Sequence, residues 1–149
     1  MYKHILFATE LHDSKSYIED KVAQLQQFTE AKLSIIHVVE PIPNYGGALG
    51  VVPGPDPVGS FGNTEKRKEQ AEEILQPLAK RLNITEQDLC ISVGYISEEI
   101  LAFAENESVD LIITGSHGVH GLRLLLGSTA NAILHGAKCD VLAVRYKEQ

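Results

Sequence analysis

The chain has 149 residues, 44% of them apolar and 6% aromatic, which suits one domain spanning residues 1–149 with a substantial core and leaves too little for two. A formal charge of −7, with basic residues scattered among acids, argues against a nucleic-acid partner, because such binding draws its affinity from clustered Lys and Arg on backbone phosphates. Cys90 and Cys139 form no C-x-x-C pair, so neither zinc nor a redox dithiol is signalled, and both are expected to be reduced, buried thiols.

The first predicted element is "HILFAT", residues 4 to 9, a strand buried on both faces. Its apolar run after Lys3 and His4 is too short for a signal-peptide core or a membrane span, so no membrane partner is expected and the cytoplasm is the default compartment. "SKSYIEDKVAQLQQFTEA" follows, with Ile18, Val22, Leu25 and Phe28 at helical spacing. "KLSIIHVVE" is a second β-branched run, in which His37 reads as a satisfied core histidine. Pro41 ends it. The segment from there to Asn63 is too rich in Gly and Pro for regular structure, and the part from Ile42 is expected to be mobile without ligand.

A helix resumes at "TEKRKEQAEEILQPLAKRLNI", which Pro77 should kink or break near its last turns. "DLCISVG" supplies a third strand, and Ser97 is a plausible N-cap for "EEILAFAENES". "VDLIIT" and "CDVLAV" are the last two apolar runs, separated by a glycine-bearing stretch and a helix that begins near Ser128. Strands alternating with helices imply right-handed crossovers and a mainly parallel sheet covered on both faces. The fold class is therefore α/β, a five-stranded doubly wound sheet.

In such sheets ligands bind at the carboxyl ends of the strands, near the point where strand order reverses. Three segments emerge there: Thr9-Glu10, Val38-Val39-Glu40, and Gly115 to Thr129. Gly115 and Gly118 flank Ser116 and His117 directly after a strand, where missing Cβ atoms allow positive φ and close approach of backbone N–H groups to an anion. Gly127, Ser128 and Thr129 then open a helix whose first N–H groups and dipole would face the same space. Phosphate would suit that space, although each residue taken alone is also an ordinary turn or cap. Neither G-x-x-x-x-G-K-[ST] nor G-x-G-x-x-G after the first strand occurs. No residue of the stretch is an evident general base aimed at water, so no catalytic residue is assigned, although slow hydrolysis of a bound nucleotide stays open.

At these residues the chain resembles the universal stress proteins, through "YKHILFATEL", "IIHVVEP" and above all "GSHGVHGLRLLLGSTANAILHGAKCDVLAVR". The closing stretch looks most like the A-type branch. ATP-binding members of the family carry G-x2-G-x9-G-[ST], matched here by Gly115, Gly118, Gly127 and Ser128, with eight residues instead of nine between Gly118 and Gly127. Glu10 stands where the family usually has Asp.

The resemblance implies strand order 3-2-1-4-5, a Rossmann-like sheet, and ATP with Mg2+ as ligand. Val38 backbone groups would meet the adenine edge, Ala8, Thr9 and Glu10 would line the base and ribose side, and Gly115 would lie under the ribose. Gly118, Gly127, Ser128 and Thr129 would hold the phosphates, with Ser116 and His117 between the first two glycines. His117 and His120 could add donors or be loop decoration; Arg123 could reach phosphate or solvent; Glu10 could be a solvated acid. No residue spacing marks a metal site of its own.

The resemblance further implies a homodimer joined through the last strand, an apolar edge that pairing would cover, burying Val141 and Ala143 and engaging the backbone around Val144. Two functions stay open: a stress-response protein with ATP as a regulatory ligand, or a dimeric interaction module that binds no nucleotide.

Overall fold

The computed structural model describes residues 1–11, 16–41, 57–116 and 126–145. Within them lie β1 (His4–Ala8), α1 (Ser16–Thr29), β2 (Lys32–Val39), α2 (Pro57–Arg81), a 3₁₀ turn (Glu86–Asp88), β3 (Leu89–Val93), α3 (Ile96–Asn106), β4 (Leu111–Gly115), α4 (Ser128–Gly136) and β5 (Asp140–Val144). The sheet has the expected order β3-β2-β1-β4-β5, and every neighbouring pair is parallel. Residues 42–56, together with His117, Gly118, His120 and Arg123, lie outside the described residues.

Alternation along the central strands splits the core in two. Ile5 and Phe7 of β1, Ile35 of β2 and Ile113 of β4 face α1 and α2, where Val22, Leu75 and Leu78 cover them. Leu6 and Ala8, Ile36 and Ile112 face α3 and α4 and are covered by Ile100 and Ile133. A sheet buried on both sides needs near-continuous apolar strands, which is why β1 and β4 read as unbroken runs instead of alternating ones. Each buried Ile or Leu here contributes on the order of 1.5–3 kcal/mol relative to leaving it in water.

The helices correct the sequence reading in four places. In α1, Ile18 and Val22 are buried and Leu25 packs against the core, but Phe28 is 76% exposed. At about 100° per residue, ten residues from Ile18 turn Phe28 well off the inner stripe. α2 begins at Pro57, not after Asn63. Proline fits a first helical position because the N–H it lacks would have no intrahelical partner there.

Pro77 does not end α2, which continues to Arg81. Pro77 and Glu73, whose carbonyl loses its partner, both lie on the exposed side, where water can satisfy that carbonyl. Ser97 is not the cap of α3: the N-cap is Tyr95, whose carbonyl accepts from the Glu99 N–H at 3.0 Å. Glu99 in turn accepts a hydrogen bond from Ser92 Oγ on β3. Cys90 and Cys139 are free thiols as expected, but both are half-buried.

Candidate functional site

The site is built where β1 stops before β2 does. The β1–β2 register ends at Ala8 opposite Ile36, whereas β2 runs on to Val39 beside β3. Ala8 is buried, with Ile36 on one side and Thr114 of β4 on the other. Thr9 is also buried, its N–H donating to the Ile36 carbonyl at 3.0 Å and its Oγ1 to the Glu10 carbonyl at 3.2 Å.

The Thr9 carbonyl is held by a side chain: His37 Nδ1 lies 2.8 Å from it. A carbonyl can only accept, so Nδ1 carries the proton. His37 is thus satisfied, as expected, but half-buried near the carboxyl ends of the strands instead of in the core. Sequence reasoning missed this role, because an imidazole inside an apolar run gives no sign of which carbonyl it will meet.

Beyond β1 a cleft of about 470 Å³ opens, lined by Glu10 and Leu11, by His37 to Glu40, by Arg67, Gln70, Ala71 and Ile74 of α2, and by Ile96. Glu10 and Val38, two of the expected site residues, therefore share one wall. Arg67 is fixed at the rim, its guanidinium donating to the Glu40 carbonyl at 2.7 Å. The α2 residues were not foreseen. Their only trace in the sequence is Ile74, an apolar residue that the fold leaves 56% exposed at the cleft. The volume lies in the range of small-ligand pockets, about 300–1,000 Å³, with an apolar floor and polar groups at the margins.

The second half of the site lies at the end of β4. Gly115 is its last residue, paired with Val144 of β5 in extended conformation and not in the positive-φ turn expected of it. Ser116 N–H donates to the Val144 carbonyl at 2.9 Å, and the Ser116 carbonyl accepts from Gly127 N–H at 2.8 Å. That second bond brings the two ends of the glycine-bearing stretch together.

Gly127 is the N-cap of α4 with φ −56° and ψ 152°, again without positive φ, and no side chain caps the helix. The amides that open α4 belong to Ser128 and Thr129, so their N–H groups have no intrahelical acceptor. Ser128 is exposed and Thr129 half-buried. Beside them Ser116 is only 5% exposed, and its Oγ is the one buried side-chain polar atom among the described residues without a hydrogen-bond partner. An unsatisfied buried hydroxyl costs about 1–3 kcal/mol, so a partner is expected for it.

Electrostatics at this edge follow from backbone as much as from side chains. The α4 N-terminus presents the positive end of a helix dipole toward Ser116, whereas Glu10 and Glu40 carry the carboxylates at the cleft. An anionic group is therefore favoured at the α4 end, whereas the α2 cleft carries charges of both signs, Glu10 and Glu40 with Arg67. On β3, burial and the neighbouring Glu99 carboxylate push the Cys90 thiol up from its ordinary pKa.

The universal stress protein family model matches residues 1–145. Universal stress protein A homolog 2 of Coxiella burnetii is 45% identical over 147 residues, which cover 98% of this chain and 97% of that one. The structure of MJ0577 of Methanocaldococcus jannaschii matches with a TM-score of 0.79 at 26% identity, covering 100% of this chain and 99% of that one. A universal stress protein in complex with cAMP matches with a TM-score of 0.65 at 21% identity, over 98% of each chain.

Proposed function

The chain belongs to the universal stress protein family, and from that premise we propose that it binds an adenine nucleotide, ATP together with Mg2+, as a regulatory ligand at the carboxyl edge of the sheet. The observation that carries this reading is the Ser116 Oγ, without a partner among the described residues and buried beside the N-terminus of α4. A phosphate oxygen would accept from that hydroxyl and from the first amides of the helix. The cAMP bound to a structural relative supports an adenine nucleotide as the class of ligand.

The two ends of the site assign the ends of the ligand. Phosphates belong at α4, where the dipole is positive, and the neutral base belongs toward Val38 and the apolar side chains of the α2 cleft, Ala71 and Ile74. Glu10 is the carboxylate on the β1 turn that could join phosphate oxygens around Mg2+, an ion commonly held by one or two carboxylates plus phosphate. We further read the protein as a cytoplasmic stress-response homodimer paired through β5, in which nucleotide occupancy is the signal.

A second reading, a dimeric interaction module without nucleotide, is favoured by Glu10 in place of the family's Asp and by the eight-residue spacing from Gly118 to Gly127. Equilibrium dialysis against MgATP separates the two. The nucleotide reading expects a Kd between micromolar and millimolar, roughly −8 to −4 kcal/mol, and a loss of about tenfold in Gly118→Val. Absence of binding at millimolar ATP selects the interaction module.

A further inference from the structure

In a parallel ladder that continued past Ala8–Ile36, the next bond would run from the Val38 N–H to the Thr9 carbonyl, because Thr9 N–H already donates to Ile36. The structure does something else. The Thr9 carbonyl takes its hydrogen bond from His37 Nδ1 at 2.8 Å, and the register stops at Ala8. His37 thus supplies from its side chain the donor that the next rung of backbone would have supplied.

Strand alternation fixes the consequence for Val38. The Ile36 carbonyl points to β1, and the Val39 carbonyl points to β3, where it accepts from Gly94 N–H at 3.2 Å. The Val38 peptide groups, two residues on from Ile36, turn toward the side that β1 has vacated, next to the cleft that Val38 and His37 both line.

We propose that His37 is a positioning residue: by engaging the Thr9 carbonyl it ends the β1–β2 ladder one rung early and leaves the Val38 N–H and C=O directed at the base of a bound nucleotide. This rests on the nucleotide reading above and adds to it the device that exposes the base-reading edge. An edge offering one donor and one acceptor is complementary to adenine's N1 and N6 amino group and mismatched to guanine's N1–H and O6, so His37 would govern base selectivity without touching the ligand.

Two substitutions and three probes test it. His37→Val removes the donor and keeps a strand-compatible side chain; His37→Asn places an amide N–H near the position of Nδ1. Wild type and His37→Asn should bind MgATP at least tenfold more tightly than MgGTP. His37→Val should lose about tenfold in ATP affinity and most of that selectivity, while inorganic tripolyphosphate, which needs only the α4 end, binds all three proteins alike.

Amide hydrogen exchange in the unliganded proteins is the second readout. The Val38 N–H should be poorly protected in wild type and become protected in His37→Val as the ladder lengthens. Unchanged selectivity in a folded His37→Val, or a Val38 N–H equally protected in wild type and variant, overturns the proposal while leaving nucleotide binding intact. If wild type binds neither ATP nor tripolyphosphate, the nucleotide reading fails instead, and the exchange result alone still decides whether His37 ends the ladder.

Discussion

Gly127 N–H donates to the Ser116 carbonyl at 2.8 Å, so residues eleven apart in sequence meet at the end of β4. The bond sets the start of α4 against the buried Ser116 side chain, whose hydroxyl has no partner among the described residues. Ser116 is therefore expected to show opposed effects on stability and on binding. Ser116→Ala removes an unsatisfied buried group and should raise the stability of the unliganded protein by up to about 1 kcal/mol. The same change should weaken MgATP binding by about tenfold, or 1.4 kcal/mol. Urea denaturation and calorimetric titration measure the two. If stability falls and affinity holds, the hydroxyl is structural.

At the outer edge of the sheet, the apolar residue that β5 leaves most open is Leu142, 40% exposed, whereas Val141 packs against the α3–α4 core and Val144 is buried. The resemblance implies that pairing would bury Val141 and Ala143; Leu142 adds an exposed apolar side chain on the other face of the same strand. Leu142→Lys puts a charge on the edge without opening the core, and like charges across a two-fold strand pair repel. Sedimentation equilibrium should give twice the 16.3 kDa chain mass for wild type and the chain mass for Leu142→Lys. A wild type that sediments at the chain mass removes the dimer from the account.

Glu30 closes α1 with φ 55°, a left-handed conformation that disfavours a side chain with a Cβ. Relief of that conformation is worth about 1–2 kcal/mol, and the extra freedom of glycine in the unfolded chain offsets roughly 0.5–1 of it. Glu30→Gly should therefore stabilise by about 0.5–1 kcal/mol, read as a higher urea midpoint at unchanged slope. A lower midpoint would mean that the Glu30 side chain makes contacts worth more than the strain.

Burial, with the Glu99 carboxylate as a second cause, holds the Cys90 thiol above its ordinary pKa. For an acid whose folded pKa is raised, both states are protonated at low pH and stability is unaffected there. As pH climbs past the unfolded value, near 8.5, the unfolded chain ionises first and folding loses free energy. Above about pH 8.5 wild type should therefore lose stability more steeply than Cys90→Ala. Parallel pH profiles for the two proteins would contradict this.

The sheet was legible because each of its strands is a short apolar run set between amphipathic segments, a pattern that two-sided burial imposes. Thr9, Glu10, Val38 and the pair Ser116 and Gly127 were legible as strand ends or as the margins of a glycine stretch. What escaped the sequence was relational. The start of α2 at Pro57 was hidden by Gly and Pro in its first turns, and Tyr95 displaced Ser97 as cap because the helix starts one residue before Ser97. The engagement of Thr9 by His37 depends on two strands stopping at different heights. No spacing along the chain encodes that difference.

Amide chemical shifts recorded while MgATP is added test the central claim most directly, because they report binding and its location together. The account predicts saturable shifts at Thr9 and Val38 on one side and at Gly115, Ser116, Gly127, Ser128 and Thr129 on the other, with the rest of α4 and β5 unmoved except at Val144, whose carbonyl accepts from the Ser116 N–H. Shifts absent at millimolar MgATP, or confined to residues away from the ends of β1, β2 and β4, would contradict it.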